Sequence, residues 1–218
     1  ARHLLALIND VLDLAKIEAG KLELHPAEFD LPEFVRAVEA VFQPRARDKN
    51  LLLETAFAQN LPPVVVGDAQ RLRQVVFNLL SNAVKFTRQG GVVFSVEPAP
   101  AGRVRFSVSD SGPGIAAEEQ SRLFEPFAQI GDHRMHAEGT GLGLNVSRGI
   151  VEQMGGTLQV ESRAGWGSRF WFEIPLPPAT GAAASPVVTP RAIIGYDGAR
   201  RSVLVADANP TNARLVLR

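Results

Sequence analysis

The chain has 218 residues and a mass of 23.5 kDa, enough for one or two domains with a real core. Its 23 Lys+Arg balance 23 Asp+Glu, which removes the basic excess of a general nucleic-acid binder. With no cysteine, 45% hydrophobic residues, no apolar run near the ~20 residues of a membrane span and no signal-peptide pattern, it excludes disulfides, thiolate metal sites, cysteine nucleophiles and global disorder, and a soluble, cytoplasmic protein is expected.

Residues 2–22 read as one helix. Leu5, Ile8, Leu12 and Ala15 have the 3-4-3 spacing of a bundle seam, and Leu4, Leu7, Val11 and Leu14 widen the apolar surface. Gly20 suits the C-cap. No capping residue precedes the helix, as in a piece of a longer chain. Residues 29–31 fit a short strand. Pro32 fits the first turn of a helix running to about Asp48, with Phe34, Val35, Val38, Val41 and Phe42 on one face.

Strands are expected at 51–57 and 64–66, then a helix over 69–86 capped by Asp68. Residues 92–97 and 103–109 alternate like paired strands. Residues 110–141 have no stable period. A helix over about 142–154 and an antiparallel pair over 157–161 and 168–174 follow. Residues 179–200 have linker composition. Residues 202–206 read as one more strand, and Pro210 could open a further helix. The fold expected for residues 25–178 is a two-layer α/β sandwich: one mixed, largely antiparallel sheet with three main helices on one face. No internal repeat is visible.

Eleven of the 19 glycines fall between Gly112 and Gly167. The cluster opens with Asp110-Ser-Gly112-Pro-Gly114 after a strand and closes with Gly139-Thr140-Gly141-Leu142-Gly143-Leu144 before a helix. The spacing is neither that of a Rossmann loop nor that of a Walker loop. Glycines leading into a helix N-terminus still offer free N–H groups to phosphate. Asn78, Asn82 and Lys85 share one face of the 69–86 helix. Two amide oxygens and an ammonium suit a magnesium–phosphate group, although a solvated polar stripe would look the same.

Taken together these stretches resemble sensor histidine kinases. Gln70–Thr87 resembles the N box, Asp110–Ile115 the G1 box, Phe124-Glu-Pro-Phe127 the F box, Gly139–Leu144 the G2 box and Gly165–Phe170 the closing glycine motif. The resemblance spans residues 2–178 and implies a Bergerat-type ATP fold. Residues 1–24 resemble the second helix of the dimerisation and phosphotransfer bundle. Val203–Asn212 resembles the start of a receiver domain, placed at 201–218 after the linker. This implies a hybrid kinase that is a homodimer in full length. Its partners would be ATP, an upstream phosphoacceptor histidine domain, and the receiver or a response regulator. The parent protein could be anchored in the inner membrane.

The resemblance also implies roles. Asn78 would ligate Mg²⁺ and Asn82 would support metal and phosphates. Lys85 would contact phosphate and Phe86 would flank the base. Asp110 would accept from the adenine amine, and Gly112 and Gly114 would admit the backbone close to the base. Residues 128–138 would be the ATP lid, with Arg134 as a γ-phosphate contact. Gly139, Thr140, Gly141, Leu142, Gly143 and Leu144 would wrap the phosphates.

Gln74 joins Asn78 and Lys85 in the catalytic set. It stands where gyrase-, MutL- and Hsp90-like ATPases carry a water-activating Glu. An uncharged amide is a poor general base, which favours phosphoryl transfer to histidine over hydrolysis. A nucleotide-binding regulatory module without transfer is the alternative.

His3 lacks the His-Glu context of a phosphoacceptor, so this chain is expected to bind ATP without phosphorylating itself. Ala208 stands where receivers carry a second metal-binding acid. Phe124, Phe127, Trp166 and Trp171 are expected in the core. His25, His133 and His136 are expected at the surface, without metal-ligand spacing.

Overall fold

The computed structural model describes residues 2–128 and 141–179. Helix α1 (Arg2–Glu18) ends four residues before the expected position. Gly20 takes φ +63°, and the N–H groups of Gly20 and Lys21 return to the carbonyls of Ile17 (3.0 Å) and Lys16 (2.7 Å). This bond pair is the Schellman cap, which stops a helix one residue before its glycine. The expected receiver start and the linker beyond Ala179 lie outside the described residues.

Strand β1 (Ala27–Asp30) runs straight into α2 (Leu31–Asp48). Asp30 accepts from the Glu33 N–H at 2.5 Å and Pro32 occupies the first turn, where its missing N–H is not needed. Strands β2 (Leu52–Phe57) and β3 (Val64–Gly67) precede α3 (Ala69–Phe86), whose bounds match the expected helix. Asp68 opens α3 by accepting from the Arg71 N–H at 2.9 Å, a cap worth about 1 kcal/mol. Then follow β4 (Gly91–Ala99), β5 (Arg103–Asp110), the single turn α4 (Ala117–Gln120), α5 (Gly143–Gln153), β6 (Leu158–Arg163) and β7 (Gly167–Pro175).

Five strands form one sheet in the order β2-β4-β5-β7-β6, with β2–β4 parallel and the other pairs antiparallel. Alternate residues Phe94, Val96, Val104, Phe106, Val108, Phe172 and Ile174 are buried in one core with Phe42, Leu72, Leu79 and Ile150 of the helices. The period-2 pattern therefore has one covered face. On the other face Glu97, Arg105 and Glu173 stand in register across three strands. Arg105 reaches Glu173 at 2.5 Å and Glu97 at 3.8 Å.

The expectation of a single sheet needs a correction. Strands β1 and β3 form a separate antiparallel pair, with Phe29 opposite Val65. Residues 177–179 run along β3: the Val66 N–H reaches the Pro177 carbonyl (2.9 Å) and the Ala179 N–H the Val64 carbonyl (3.1 Å). The short strand thus has neighbours on both sides and little exposed edge.

Three aromatic expectations are also corrected. Phe124 packs against the core, but Phe127 and Trp166 are 65% and 73% exposed. Phe127 also has φ +62°, in the left-handed region that side chains rarely adopt. Trp166 follows Gly165 at the tip of the β6–β7 hairpin, where the Arg163 guanidinium lies 5.2 Å from its ring centre, within cation–π reach. Trp171, half-buried on the outer sheet face, has the Arg169 guanidinium 5.5 Å from its ring centre.

Helix α1 belongs to the same compact unit as the sheets, residues 1–181. Leu14 and Ile17 pack against the core. A side chain at Gly149 of α5 would lie 2.6 Å from Ile17 Cγ2, so the glycine makes the notch that Ile17 enters. Ile8, Val11 and Leu12 remain exposed.

Candidate nucleotide site

The polar stripe of α3 runs Arg71, Gln74, Asn78, Asn82, Lys85, in steps of three or four residues. Its first part meets α1. Arg71 Nη1 donates to Asp13 Oδ2 (3.0 Å) and to Gln74 Oε1 (2.8 Å), while Gln74 Nε2 donates to the same Asp13 oxygen (2.8 Å). Both ends of the Gln74 amide are therefore engaged within the α1–α3 contact. The sequence grouped Gln74 with the catalytic residues; the structure gives it a bracing neighbourhood. Asp68 adds a further tie, accepting from the His25 N–H at 2.9 Å.

The second part of the stripe meets α5. Asn78 Nδ2 donates to Ser147 Oγ at 2.9 Å. Its Oδ1 is turned toward Gly143, where an added Cβ would lie 2.4 Å from that oxygen. Asn82, Lys85 and Phe86 are half-buried further along, with Lys85 Nζ 4.9 Å from the centre of the Phe86 ring. The last turn of α3 is held by Lys49, whose Nζ donates to the carbonyls of Val84 (2.8 Å) and Lys85 (2.7 Å).

Asp110 ends β5 at the opposite wall. Burial pushes its carboxyl above the ordinary value, while backbone N–H bonds from Gly112 and Ser168 pull it back in part. Gly112 N donates to Asp110 Oδ1 at 2.8 Å. A Cβ on Gly112 would lie 2.7 Å from that oxygen and 3.3 Å from Thr87 Oγ1. Thr87 is fully buried, and its hydroxyl has no hydrogen-bond partner. An unpaired buried hydroxyl beside a recessed carboxylate is a polar slot waiting for a partner.

Gly114 lies against the β6–β7 hairpin. It has φ +66°, and a Cβ there would lie 2.0 Å from the Arg163 carbonyl. The glycine lets the loop lie flat on the β6–β7 hairpin. Ser162 completes this clamp: Oγ accepts from the Ile115 N–H (2.8 Å) and donates to the Gly167 carbonyl (2.9 Å). Gln120 Nε2 bonds the carbonyls of Ile115 (3.0 Å) and Ser162 (2.9 Å).

Arg134, Gly139 and Thr140, with the lid, His133 and His136, lie outside the described residues. The stems on either side meet: a Cβ on Gly141 (φ +69°) would lie 2.7 Å from the Phe127 carbonyl carbon. Leu142 is fully buried, and Leu144 packs against the core. Their side chains anchor α5, so any phosphate contact from them comes through the backbone. Asn145 ties α5 to the Phe124 carbonyl at 2.7 Å.

Sequence reasoning missed Thr87, Ser147, Ser162 and Asp13. Asp13, Ser147 and Ser162 have partners remote in sequence, and Thr87 is a small polar residue just past the end of α3, so no local pattern marks any of them.

The residues suit a nucleotide–metal complex. Asn78 offers one hard oxygen beside the first turn of α5, whose N–H groups suit phosphate. No cluster of three His, Cys, Asp or Glu occurs among the described residues. A Mg²⁺ carried in by phosphates and keeping waters needs only one or two protein ligands.

A glycine-lined helix start facing an asparagine helix, with a recessed aspartate at a strand end, defines a nucleotide-binding ATPase-type domain. Residues 67–178 match the family of histidine kinase-, DNA gyrase B-, and HSP90-like ATPases. The chain belongs to that family. It is 42% identical over 183 residues to the sensory/regulatory protein RpfC of Xanthomonas campestris, covering 81% of this chain and 25% of that protein. It thus spans about a quarter of that relative's length.

Two solved structures are similar as well. Full-length ShkA in complex with AMPPNP matches with TM-score 0.73 and 40% identity, over 82% of this chain and 37% of that one. The catalytic domain of histidine kinase ThkA matches with TM-score 0.59 and 34% identity, over 72% of this chain and 98% of that one. No helix of the described residues is long and apolar enough to cross a membrane.

Proposed function

We propose that this chain is the ATP-binding catalytic part of a hybrid sensor histidine kinase. It binds ATP with Mg²⁺ and delivers the γ-phosphate to a histidine of a phosphoacceptor domain. The observation that carries this reading is the Asn78 amide oxygen aimed at the first turn of α5. That pairing brings a metal ligand to a phosphate-binding helix end.

Asp110 accepts the hydrogen bond of an exocyclic amine, which selects adenine over a base with a carbonyl there. The Thr87 hydroxyl completes the polar slot. Phe86 gives the base an apolar flank, and Lys85 presents its charge to phosphate. The first-turn N–H groups of α5 hold phosphate oxygens without reorganising. When bound, Mg²⁺ supplies charge neutralisation on the transferring phosphoryl group. Asn78 would hold that ion, and the site would contribute by positioning the phosphates for attack by a histidine imidazole supplied from outside this chain.

A hydrolytic role has less support. Gln74 is uncharged, and its amide is engaged with Asp13 and Arg71, so it activates no water. The exposed Ile8, Val11 and Leu12 of α1 fit a bundle seam in a homodimer. A receiver domain or response regulator would take the phosphate onward.

The test is labelling with γ-³²P-ATP. The 218-residue chain alone is expected to stay unlabelled, and a supplied dimerisation domain carrying the histidine is expected to gain acid-labile phosphate. Nucleotide-dependent stabilisation without any transfer to that domain would replace this reading with a regulatory binding module.

A further inference from the structure

The Asn78 side chain ends in two groups of nearly equal size, and only one can ligate a cation. The oxygen binds Mg²⁺; the NH₂ group, if presented instead, repels it. A rotation of half a turn about one bond separates a working ligand from a blocking group. Something in the protein has to choose the orientation.

Helix α5 holds both ends. Gly143, its first residue, leaves the space that Oδ1 enters. Ser147, one turn on, receives Nδ2 at 2.9 Å. Neither contact chooses alone. A serine hydroxyl both donates and accepts, so it could serve either end of the amide. The first turn of α5 is not neutral in this way. Its N–H groups have no intrahelical partner and form the positive end of the helix dipole, so they favour oxygen and disfavour NH₂. With Oδ1 drawn to Gly143, Ser147 is left as acceptor for Nδ2.

Ser147 is otherwise hard to explain. It is 2% exposed, between buried Val146 and Gly149 and beside Ile150 and Val151. Alanine there would favour the helix more and bury no hydroxyl.

We propose that Ser147 is a positioning residue for the metal site: it locks the Asn78 amide with its oxygen toward the nucleotide and so sets the Mg²⁺ dependence of binding. The inference rests on Asn78 as the metal ligand. Partners of this kind behind a ligand typically change metal affinity by roughly 10–100-fold when removed.

The experiment measures ADP binding to the 218-residue chain by calorimetry, in Mg²⁺ and in EDTA. Ser147→Ala is expected to lower affinity roughly 10-fold in Mg²⁺ and to leave it within about twofold in EDTA. Ser147→Thr, which keeps the hydroxyl, is expected to match wild type in both. Ser147→Cys keeps the volume and only a weak acceptor, and is expected to behave as alanine does if the alanine variant folds poorly. Equal losses in Mg²⁺ and EDTA, or no loss from either Ser147→Ala or Ser147→Cys, would overturn the proposal. Asn78→Ala is the separate control: if it keeps the full Mg²⁺ effect, the metal-ligand reading itself fails, whatever Ser147 does.

Discussion

Arg71 and Gln74 lie on the same stripe of α3 as Asn78, Asn82 and Lys85, yet the two groups face different neighbours. The first meets Asp13 of α1 in a half-buried knot of three hydrogen bonds. In the second, Asn78 meets the glycine-led start of α5. Only one helical turn, about 6 Å of rise, separates Gln74 from Asn78. A continuous polar stripe is thus part brace and part binding surface. What distinguishes them is the partner: a carboxylate on one side, helix N–H groups on the other. The grip on α1 and the nucleotide site are consequently carried by one rigid element.

The comparison breaks if the two ends respond alike to mutation. At the site end, Asn78→Ala is expected to cut phosphoryl transfer by about 10²-fold or more, as losing one preorganised charge-stabilising group does. The melting temperature should stay close to wild type. A variant that melts far lower would make Asn78 a brace like Gln74.

Asp110→Asn tests the opposite wall. An amide NH₂ facing the adenine amine leaves two donors in contact, so ADP affinity is expected to fall about 10–100-fold, from about 1–3 kcal/mol of unmet hydrogen bonding. GDP should gain, because its carbonyl accepts from that NH₂. The pH dependence has a definite sign. Burial raises the folded carboxyl above 3.8, so the folded state holds the proton more tightly than the unfolded chain. Asp110 therefore lowers stability as pH rises from 3.8 through the raised value. Urea midpoints across that range should lose this component in Asp110→Asn.

At the brace end, Arg71→Met leaves Asp13 without its cation. The pair is only 19% and 12% exposed, so a cost of about 1–2 kcal/mol is expected, read from urea unfolding. Exchange of α1 amide protons should quicken, while ADP affinity stays within about twofold. An affinity loss as large as that of Asn78→Ala would merge the two ends.

Much of this was legible in the sequence because it is local. The α3 cap, the antiparallel pairs and the glycine-led start of α5 each follow from a few adjacent residues. Pairing of β1 with β3 was not legible, since α2 and β2 intervene and β3 offers only four residues to set a register. The Asp13 knot was invisible for the same reason: Arg71 lies 58 positions away. The resemblance assigns Gly114 a place beside the base, and its packing on the hairpin carries no local signal. The Arg163 and Gly167 carbonyls that it makes room for are brought there by the hairpin fold. Ser162 and Thr87 carry no signal beyond being small and polar.

The smallest expected effect lies at the far end of α3. Lys49 Nζ bonds the carbonyls of Val84 and Lys85, two of the last four that the helix leaves unpaired. A cation there also complements the negative end of the dipole, worth about 0.3–1 kcal/mol at an exposed site. Lys49→Met keeps the aliphatic stem and removes the charge and donors. It should lower stability by about 0.5–1 kcal/mol, least at high salt, where wild type already loses part of the benefit. Because Lys85 and Phe86 occupy that last turn, ADP affinity should fall by about threefold or less, in Mg²⁺ and EDTA alike. A loss confined to Mg²⁺ would show that the last turn, and not only Asn78 with Ser147, governs the metal. The division of α3 into brace and binding surface would then need a third part.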